Sequence, residues 1–393
     1  MDDFDQRCVQ PEFVPPLPTE PLAPPIYPSA VYRCRDTAQA QALMAGELDG
    51  YIYGRESHPN ATLLEHRCRS LHEADAAVIC CSGMAALSAA LLATVKQGDH
   101  VLVSSRLYGQ SSNLLVNEAD RLGIESTVVD TCDLAATAAA MREQTRLVVI
   151  ETITNPTLRV SDVPALAELA RRHGALLLVD NTFVGPAIYR PLEHGADLVL
   201  ESLTKQMNGH SDVLLGLICG TKAAMQRVPA AVTTWGFSAS PFDCWLAGRG
   251  IGTLALRAER AAANALTIAQ RLAADGRLEA VHYPGLDEHP DHQLAQRLFG
   301  ERFGAMVTFT LPGGNAAADA FIAAAQQIPF CPSLGDLCTT LSHPASTSHR
   351  RLDEAKRQQL GITGGTIRLS VGIESADSIW SAIEQGLNAA LAS

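Results

Sequence analysis

The sequence lacks the patterns that mark a metalloprotein, a disulfide-stabilised domain or a membrane protein. None of its ten cysteines falls in a CxxC pair, and no His/Cys spacing is typical of zinc. No apolar run approaches the roughly 18 residues of a membrane span. The opening residues, MDDFDQRC, are acidic instead of forming a basic-then-apolar leader. We therefore expect no metal, buried free thiols and a cytoplasmic location.

Positive charge is also scarce. With 30 Lys and Arg against 42 Asp and Glu, the formal net charge is −12, which argues against nucleic acid or an anionic membrane as a partner. No GxGxxG follows a first strand, so a nucleotide-dependent dehydrogenase is disfavoured. Nearly half of the 393 residues are apolar, a composition typical of a globular protein, and the length predicts about two domains.

The first 60 residues do not resemble a domain. They contain many prolines, which forbid regular helix and favour extended structure, namely Pro11, Pro15, Pro16, Pro18, Pro21, Pro24, Pro25 and Pro28. Because the segment is also apolar, we predict an arm over 1–60 that packs on a neighbouring subunit. A large domain is predicted over 61–250, and a smaller C-terminal domain, including a linking helix, over 251–393.

From residue 61 onward, apolar runs alternate with amphipathic helical segments. Such runs predict a mostly parallel sheet covered by helices on both faces, an α/β fold, with strands at 76–82, 100–105, 124–129, 146–152, 175–180 and 197–202. The smaller domain carries strands within 302–311 and 366–374. Ligands of such sheets bind beyond the carboxyl ends of the strands. Five candidate positions follow the runs there: Gly83, Tyr108, Asn155, Asp180 and Lys205.

A lone lysine, Lys205, follows the last of these runs and is preceded by two hydroxyls, Ser202 and Thr204. A lysine at the exit of a buried strand is costly to desolvate, so its pKa is lowered and its amine becomes a nucleophile. Such an amine forms a Schiff base with an aldehyde, as in the anchoring of pyridoxal phosphate (PLP), and nearby hydroxyls can hold a phosphate. A surface lysine in a loop is the alternative.

Three other candidates could contact the ring of such a cofactor. Asp180 could keep the pyridine nitrogen protonated, which makes the ring an electron sink for a carbanion at the substrate α-carbon. Tyr108 could stack on the ring, and Asn155 could hydrogen-bond its phenolate oxygen. Taken singly, a helix N-cap, a packing tyrosine and an Asn-Pro turn would explain the same residues.

Further segments offer sites for anions. The segment 82–84 (Ser-Gly-Met) precedes a helix whose free N–H groups could bind phosphate, and Tyr53 with Arg55 could also reach one. Arg368 lies among apolar neighbours and needs an anion, for which a substrate carboxylate would serve. The alternatives are an ordinary strand–helix turn, a solvated arginine and a structural salt bridge.

Nine segments are notable together: YIYGRESHPN, CSGMAAL, LYGQ, ETITNPT, VDNTF, SLTKQMNGHSD, SPFDCWLAGRG, SLGD…SHPASTSH and IRLSVGIE. From about Tyr51 to the C-terminus, the chain resembles the Cys/Met-metabolism family of PLP-dependent enzymes. That family contains the cystathionine and methionine γ-lyases, cystathionine β-lyase, cystathionine γ-synthase and the O-acylhomoserine sulfhydrylases. The resemblance implies the aspartate aminotransferase-like fold type I of PLP-dependent transferases, PLP as cofactor, and a homotetramer made of two active dimers.

The resemblance also implies roles for individual residues. The catalytic group would be Lys205, the Schiff-base lysine and proton shuttle, with Asp180 on the pyridine nitrogen and Tyr108 on the ring. The phosphate would be held by Gly83, Met84, Ser202 and Thr204, and by Tyr53 and Arg55 of a neighbouring subunit. The substrate, with its carboxylate, would be bound by Arg368, Asn155, Tyr53 and the backbone near Thr339.

Three positions depart from the family pattern. Leu203 stands where a small residue is usual. Gln110 stands where methionine γ-lyases carry cysteine, and Cys338 where many γ-lyases and γ-synthases have a glutamate that contacts the distal part of the substrate. These departures leave the substrate side chain open.

The resemblance predicts a C–S lyase that acts on a sulfur amino acid by α,γ-elimination, giving a 2-oxo acid, ammonia and a thiol. The alternatives are γ-replacement, as in an O-acylhomoserine sulfhydrylase or cystathionine γ-synthase, and β-elimination, as in cystathionine β-lyase. A PLP-binding regulator without turnover is the non-enzymatic alternative.

Overall fold

The computed structural model describes residues 19–350 and 352–391, so Pro11, Pro15, Pro16 and Pro18 of the predicted arm lie outside the described residues. Within 19–60 the chain is mostly irregular. One helix, α1 (Thr37–Met44), begins after the proline-rich stretch that ends at Pro28. Several apolar side chains of this part are exposed to solvent, among them Leu22, Ile26, Tyr27 and Val31. Packing of the arm on a second subunit stays a prediction.

A seven-stranded sheet forms the larger half of the molecule. Its strands are β1 (Ala76–Cys80), β2 (His100–Ser104), β3 (Glu125–Val129), β4 (Thr145–Glu151), β5 (Leu176–Asp180), β6 (Leu198–Glu201) and β7 (Gly216–Gly220), in spatial order β1-β7-β6-β5-β4-β2-β3. β7 is antiparallel to both of its neighbours, and all other adjacent pairs are parallel. The carboxyl ends of β1 to β6 therefore share one edge, and the predicted mostly parallel α/β sheet is confirmed.

Helices cover both faces of this sheet, as continuous apolar strands require. They are α2 (Pro59–His72), α3 (Gly83–Thr94), α4 (Gly109–Asn113), α5 (Leu134–Ala140), α6 (Val163–Arg172), α7 (Lys222–Met225), α8 (Val228–Trp235) and α9 (Pro241–Ile251). α4 continues as a π-helical turn over Leu114–Glu118. The predicted start of α6 is confirmed, because the Asp162 side chain accepts a hydrogen bond from the Ala165 N–H and Pro164 lies in the first turn.

A four-stranded antiparallel sheet forms the C-terminal part. Its strands are β8 (Ala280–His282), β9 (Met306–Thr310), β10 (Thr340–Ser342) and β11 (Thr366–Ser370), in order β10-β11-β9-β8. The remaining helices are α10 (Leu254–Ala273), α11 (His292–Phe299), α12 (Gly314–Ala324), α13 (Glu354–Gln359) and α14 (Ala376–Ala390). One continuous apolar cluster joins β5 of the larger sheet, α10 and β9. The domain boundaries near 60 and 250 remain predictions.

The nine cysteines in the described part of the chain are free, and Cys68, Cys80, Cys219 and Cys244 are buried. Across residues 19–350 and 352–391, no helix combines the length and apolarity needed to cross a membrane.

Candidate functional site

A cavity of about 600 Å³ opens at the carboxyl edge of the large sheet. Its wall brings together residues from most of the predicted segments, namely Gly83, Met84, Tyr108, Asn155, Asp180, Ser202, Thr204, Lys205 and Arg368. The first eight come from the ends of β1, β2, β4, β5 and β6, and Arg368 comes from β11 of the second sheet. The site is therefore built from both halves of the chain.

The amine of Lys205 is half-buried in this wall. Its Nζ donates a hydrogen bond to Ser333 Oγ at 2.8 Å. Burial, and after it the positive charge of Arg368, lowers the pKa of Lys205. Since a lowered pKa increases the fraction of neutral amine at neutral pH, Lys205 is prepared to act as a nucleophile or a base.

The main chain that carries Lys205 is fixed from beneath by Arg257 of α10. This arginine is 6% exposed and donates to the carbonyl oxygens of Gln206 at 2.7 Å and Met207 at 3.1 Å. It also donates to the Gly250 carbonyl at 3.0 Å. Because charge-assisted bonds to several carbonyls hold one geometry, the turn after β6 is rigid beside the amine.

Asp180, the last residue of β5, supplies a buried carboxylate. Its Oδ1 accepts from the Thr182 hydroxyl at 2.6 Å and from the Thr182 N–H at 3.0 Å. Burial raises the pKa of Asp180, and the two Thr182 bonds oppose that rise. A carboxylate supported in this way can receive the proton-bearing nitrogen of a heterocycle.

A second buried carboxyl group, Glu151, lies beside Asp180 because the two residues are register partners on β4 and β5. Its Oε1 accepts from the Tyr108 N–H at 2.7 Å, and its Oε2 from the Asn155 N–H at 3.2 Å. Burial, and then the charge of Asp180, raises the pKa of Glu151 well above its usual range. The raised pKa favours the protonated form of Glu151. Glu151 fixes the main chain at two predicted site residues.

Arg368 is the cation deepest in the site, at 5% exposure. It donates to Asn155 Oδ1 at 2.7 Å and to the Ser333 carbonyl at 3.2 Å, and its guanidinium stacks on the Phe183 ring. Its Nε has no hydrogen-bond partner among the described residues. A buried, unsatisfied donor on an arginine costs free energy unless an acceptor binds there, and a carboxylate matches the guanidinium geometry.

The opposite end of the cavity is suited to a phosphate. Ser82 caps α3 by accepting from the Ala85 N–H at 3.0 Å, and Gly83 and Met84 of the first helical turn line the cavity. Backbone N–H groups at a helix N-terminus lack intrahelical acceptors and are suited to an anion. A Cβ atom at Gly83 would lie 3.3 Å from the Ser202 hydroxyl, which shows how closely the two segments approach. The Thr204 hydroxyl is bonded to the main chain of Leu215.

Several predicted residues do not reach the cavity of the single chain. Tyr53 and Arg55 lie on the exposed arm, where the guanidinium stacks on the tyrosine ring. The Thr339 N–H donates to Glu374 at 2.5 Å, and Thr339 does not line the cavity; a role for the backbone near Thr339 in binding the substrate carboxylate stays a prediction. Leu203 is fully buried in the core, and Cys338 is exposed outside the cavity wall.

Several residues of the wall are missing from the sequence predictions, among them Glu151, Ser333, His349 and Arg350. The position of Glu151 in the sequence could have identified it as a site residue, because a carboxyl group at the end of a continuous apolar run requires a buried partner. His349 is the last residue of the quoted segment SHPASTSH and Arg350 follows it directly, but the sequence alone does not tell which of their side chains face inward. Ser333 is the first residue of the quoted segment SLGD, but nothing in that segment indicates that its hydroxyl contacts the lysine amine.

Comparison with known proteins gives a consistent result. Residues 8–388 match the sequence profile described as Cys/Met metabolism PLP-dependent enzyme. The chain is 39% identical over 369 residues to an L-methionine gamma-lyase of Fusobacterium nucleatum subsp. polymorphum, covering 93% of each chain. It is 38% identical to an O-succinylhomoserine sulfhydrylase of Pseudomonas aeruginosa, covering 93% of this chain and 90% of that one. A solved cystathionine gamma synthase of Xanthomonas oryzae pv. oryzae in complex with cystathionine superposes with a TM-score of 0.89, at 36% identity and 94% coverage of both chains.

Proposed function

Because the chain belongs to the Cys/Met metabolism family of PLP-dependent enzymes, we propose that it cleaves the C–S bond of a sulfur amino acid by α,γ-elimination. One water molecule is consumed, and the products are a 2-oxo acid, ammonia and a thiol. The similarity to an L-methionine gamma-lyase supports this reaction. The observation that carries the proposal is the half-buried Lys205 amine in one cavity with the unsatisfied Nε of Arg368.

The residues of the cavity fit the cofactor of the family. Lys205 offers an amine of lowered pKa, Asp180 a buried carboxylate, and the segment 82–84 with Ser202 an anion site at a helix N-terminus. When bound, PLP supplies an aldehyde for an amine and a ring that takes up the electron pair released at the substrate α-carbon. Asp180 would hold the pyridine nitrogen, and Tyr108 would stack on the ring.

Lys205 is proposed to move the protons of the reaction. Its Nζ is positioned by the hydrogen bond to Ser333, and its lowered pKa allows it to accept a proton from the substrate α-carbon and then to return it to another carbon. Arg368 is proposed to hold the substrate α-carboxylate, with Asn155 fixing the guanidinium. Both ends of the amino acid are thereby oriented toward one amine.

The second candidate reaction is γ-replacement, in which a thiol adds after the γ-substituent has left. The similarity to an O-succinylhomoserine sulfhydrylase supports γ-replacement. Gln110 supports it as well, because this residue of the cavity wall stands where methionine γ-lyases carry cysteine. β-Elimination ranks third, and a PLP-binding regulator without turnover is the non-enzymatic alternative.

Product analysis separates these reactions. The PLP-loaded protein is incubated with L-methionine, L-cystathionine or O-succinyl-L-homoserine, each with and without sulfide, and oxo acid, ammonia and thioether or thiol products are quantified. Elimination predicts oxo acid and ammonia in equal amounts without added thiol. Homocysteine formed only with sulfide, and no oxo acid, would establish replacement instead. Pyruvate from cystathionine would indicate β-elimination, and no product from any substrate would favour the regulator.

We also propose that the active unit is at least a dimer and that the full assembly is a homotetramer. The exposed apolar side chains of the arm and the outward position of Tyr53 and Arg55 support an arm that reaches a second subunit. In that arrangement Tyr53 and Arg55 would approach the phosphate of the neighbouring subunit's cofactor, and Tyr53 the substrate.

The substitution Glu151→Gln tests the positioning of Tyr108 and Asn155. One of the two backbone N–H groups would then face an amide NH₂ instead of an acceptor, and a buried unsatisfied donor costs about 1–3 kcal/mol. If this cost appears as lost stabilisation of the transition state, kcat/KM falls by roughly 5- to 150-fold. The measurement is kcat/KM together with the Kd for PLP and the thermal unfolding curve.

The matched control is Glu143→Gln, an exposed glutamate just before β4, which is expected to leave all three quantities unchanged. If Glu151→Gln alters only the thermal unfolding curve and leaves kcat/KM intact, Glu151 is structural and does not position the site.

A further inference from the structure

Part of the cavity wall does not come from the strand ends. It is formed by residues 110–112 at the start of α4 and by residues 347–350, which precede α13. The two segments are in contact, because a Cβ atom at Gly109 would lie 3.2 Å from the carbonyl oxygen of Ser348. We call these two segments the polar wall, since they present hydroxyl, amide, imidazole and guanidinium groups to the cavity.

The cation of the polar wall is Arg350, and its charge is not neutralised by the protein. Its side chain is exposed and makes no hydrogen bond or ion pair within residues 19–350 and 352–391. Arg106 shows the usual arrangement, because its Nε and Nη2 donate to the Asp130 carboxylate at 2.7–3.1 Å. Arg350 therefore remains able to bind an anion in the cavity.

The other two cations of the cavity, Lys205 and Arg368, have hydrogen-bond partners in the protein, and the remaining donor of Arg368, its Nε, is proposed above to hold the substrate α-carboxylate. Lys205 donates to Ser333, and Arg368 donates to Asn155 and to the Ser333 carbonyl. Among the described residues that line the cavity, the only acids are Asp180 and Glu151. Both lie at the strand ends with hydrogen-bond donors of their own, so no acid of the polar wall opposes Arg350.

We propose that Arg350 and Gln110 form a subsite for a carboxylate at the far end of the substrate's γ-substituent. This inference rests on the proposed function and names its substrate class: amino acids whose γ-substituent ends in a carboxylate. A guanidinium binds a carboxylate through two N–H groups, and the Gln110 amide adds a further donor. A methylthio end, as in methionine, offers no anion to this wall.

The far carboxylate could belong to a thioether or to an ester, and the experiment includes both. The thioether pair is L-cystathionine and its amide at the cysteine-derived carboxyl group. The ester pair is O-succinyl-L-homoserine and its terminal monoamide, assayed with sulfide. Within each pair the two compounds differ by one charge and almost nothing in size. The measured quantity is the ratio of kcat/KM for the acid to kcat/KM for the amide.

We expect the wild-type enzyme to prefer the acid in at least one pair. Arg350→Gln is expected to reduce the acid-to-amide ratio of kcat/KM about tenfold, which is the effect of losing a partly exposed charge-assisted hydrogen bond. Arg350→Lys keeps the charge and is expected to keep most of the ratio. The preference should weaken at high salt, because exposed charges are screened. The pair that responds identifies the source of the carboxylate.

The control variant is Arg302→Gln, an exposed arginine outside the cavity wall, which is expected to leave the ratio unchanged. An equal ratio in wild-type and Arg350→Gln enzymes, or a wild-type preference for the amides, would overturn the subsite while the proposed function stands. If no compound is turned over, the proposed function fails instead. Equilibrium binding of each acid and amide to the PLP-loaded protein then still decides whether Arg350 selects the acid.

Discussion

Replacing Lys205 with alanine is expected to reduce kcat by at least about a thousandfold, within the range for removing a positioned acid–base group. The expectation follows from the cavity, where Lys205 is the one lysine among the described lining residues. Its hydrogen bond to Ser333 and its lowered pKa prepare it for proton transfer. Without the amine, no side chain in the described wall has the same basicity at the same place.

The Lys205→Ala experiment combines kinetics with chemical labelling. Borohydride reduction of the PLP-loaded protein, followed by peptide mass spectrometry, should mark Lys205 in the wild-type enzyme and no residue in the variant. Lys96→Ala, which removes an exposed lysine outside the cavity, should retain full activity and labelling. A Lys205→Ala enzyme with more than about a hundredth of wild-type kcat would exclude this lysine as the proton carrier.

Replacing Arg368 with methionine is expected to lower kcat/KM by roughly 30- to 1000-fold, or about 2–4 kcal/mol. Two effects are expected to contribute to this loss of kcat/KM. The substrate carboxylate loses its buried cation, and Asn155 Oδ1 and the Ser333 carbonyl lose their donor. Because methionine fills a similar volume without charge, the loss reports chemistry more than packing.

Arg368→Lys separates the charge of this residue from its geometry. A lysine restores one positive charge but cannot reach two acceptors and the substrate through a planar fork, so we expect most of the defect to persist. Arg297→Met, which breaks an exposed ion pair with Asp162 on the surface, is the control and should leave kcat/KM unchanged. An Arg368→Met enzyme with unchanged KM and kcat would show that the α-carboxylate binds elsewhere.

The sheet was predictable because its strands are continuous apolar runs. Residues buried on both faces must all be apolar, so β2 and β6 stand out in the sequence. β7 was not predicted, although all five of its residues are buried. Its short run GLICG follows the loop that carries Lys205, and an apolar run does not reveal whether a strand returns antiparallel to its neighbours. The two antiparallel strands at 280–282 and 340–342 were missed because three residues give no periodicity.

The inner part of the site was more predictable than its outer part. Residues that follow parallel strands must meet at one edge, and this topological rule brought Gly83, Asp180 and Lys205 together. No such rule governs Ser333 or Arg350, which reach the cavity from irregular segments. The hydrogen bonds of the Thr339 N–H and hydroxyl groups to Glu374 were likewise not predictable, because they depend on how two distant segments pack.

The amine at Lys205 depends on residues that the ribosome synthesises more than a hundred positions later. Its hydrogen-bond partner is Ser333, and Gly335, at a φ of +78°, lets that loop rest on the backbone at Gln206, where any Cβ would collide. A chain that stops before residue 333 would still contain Lys205 and Asp180 but would lack both the serine and Arg368. On the proposed function, a nascent or proteolytically shortened chain would therefore lack the residue that holds the substrate α-carboxylate, and turnover would require the last sixth or so of the 393 residues to have folded onto the large sheet.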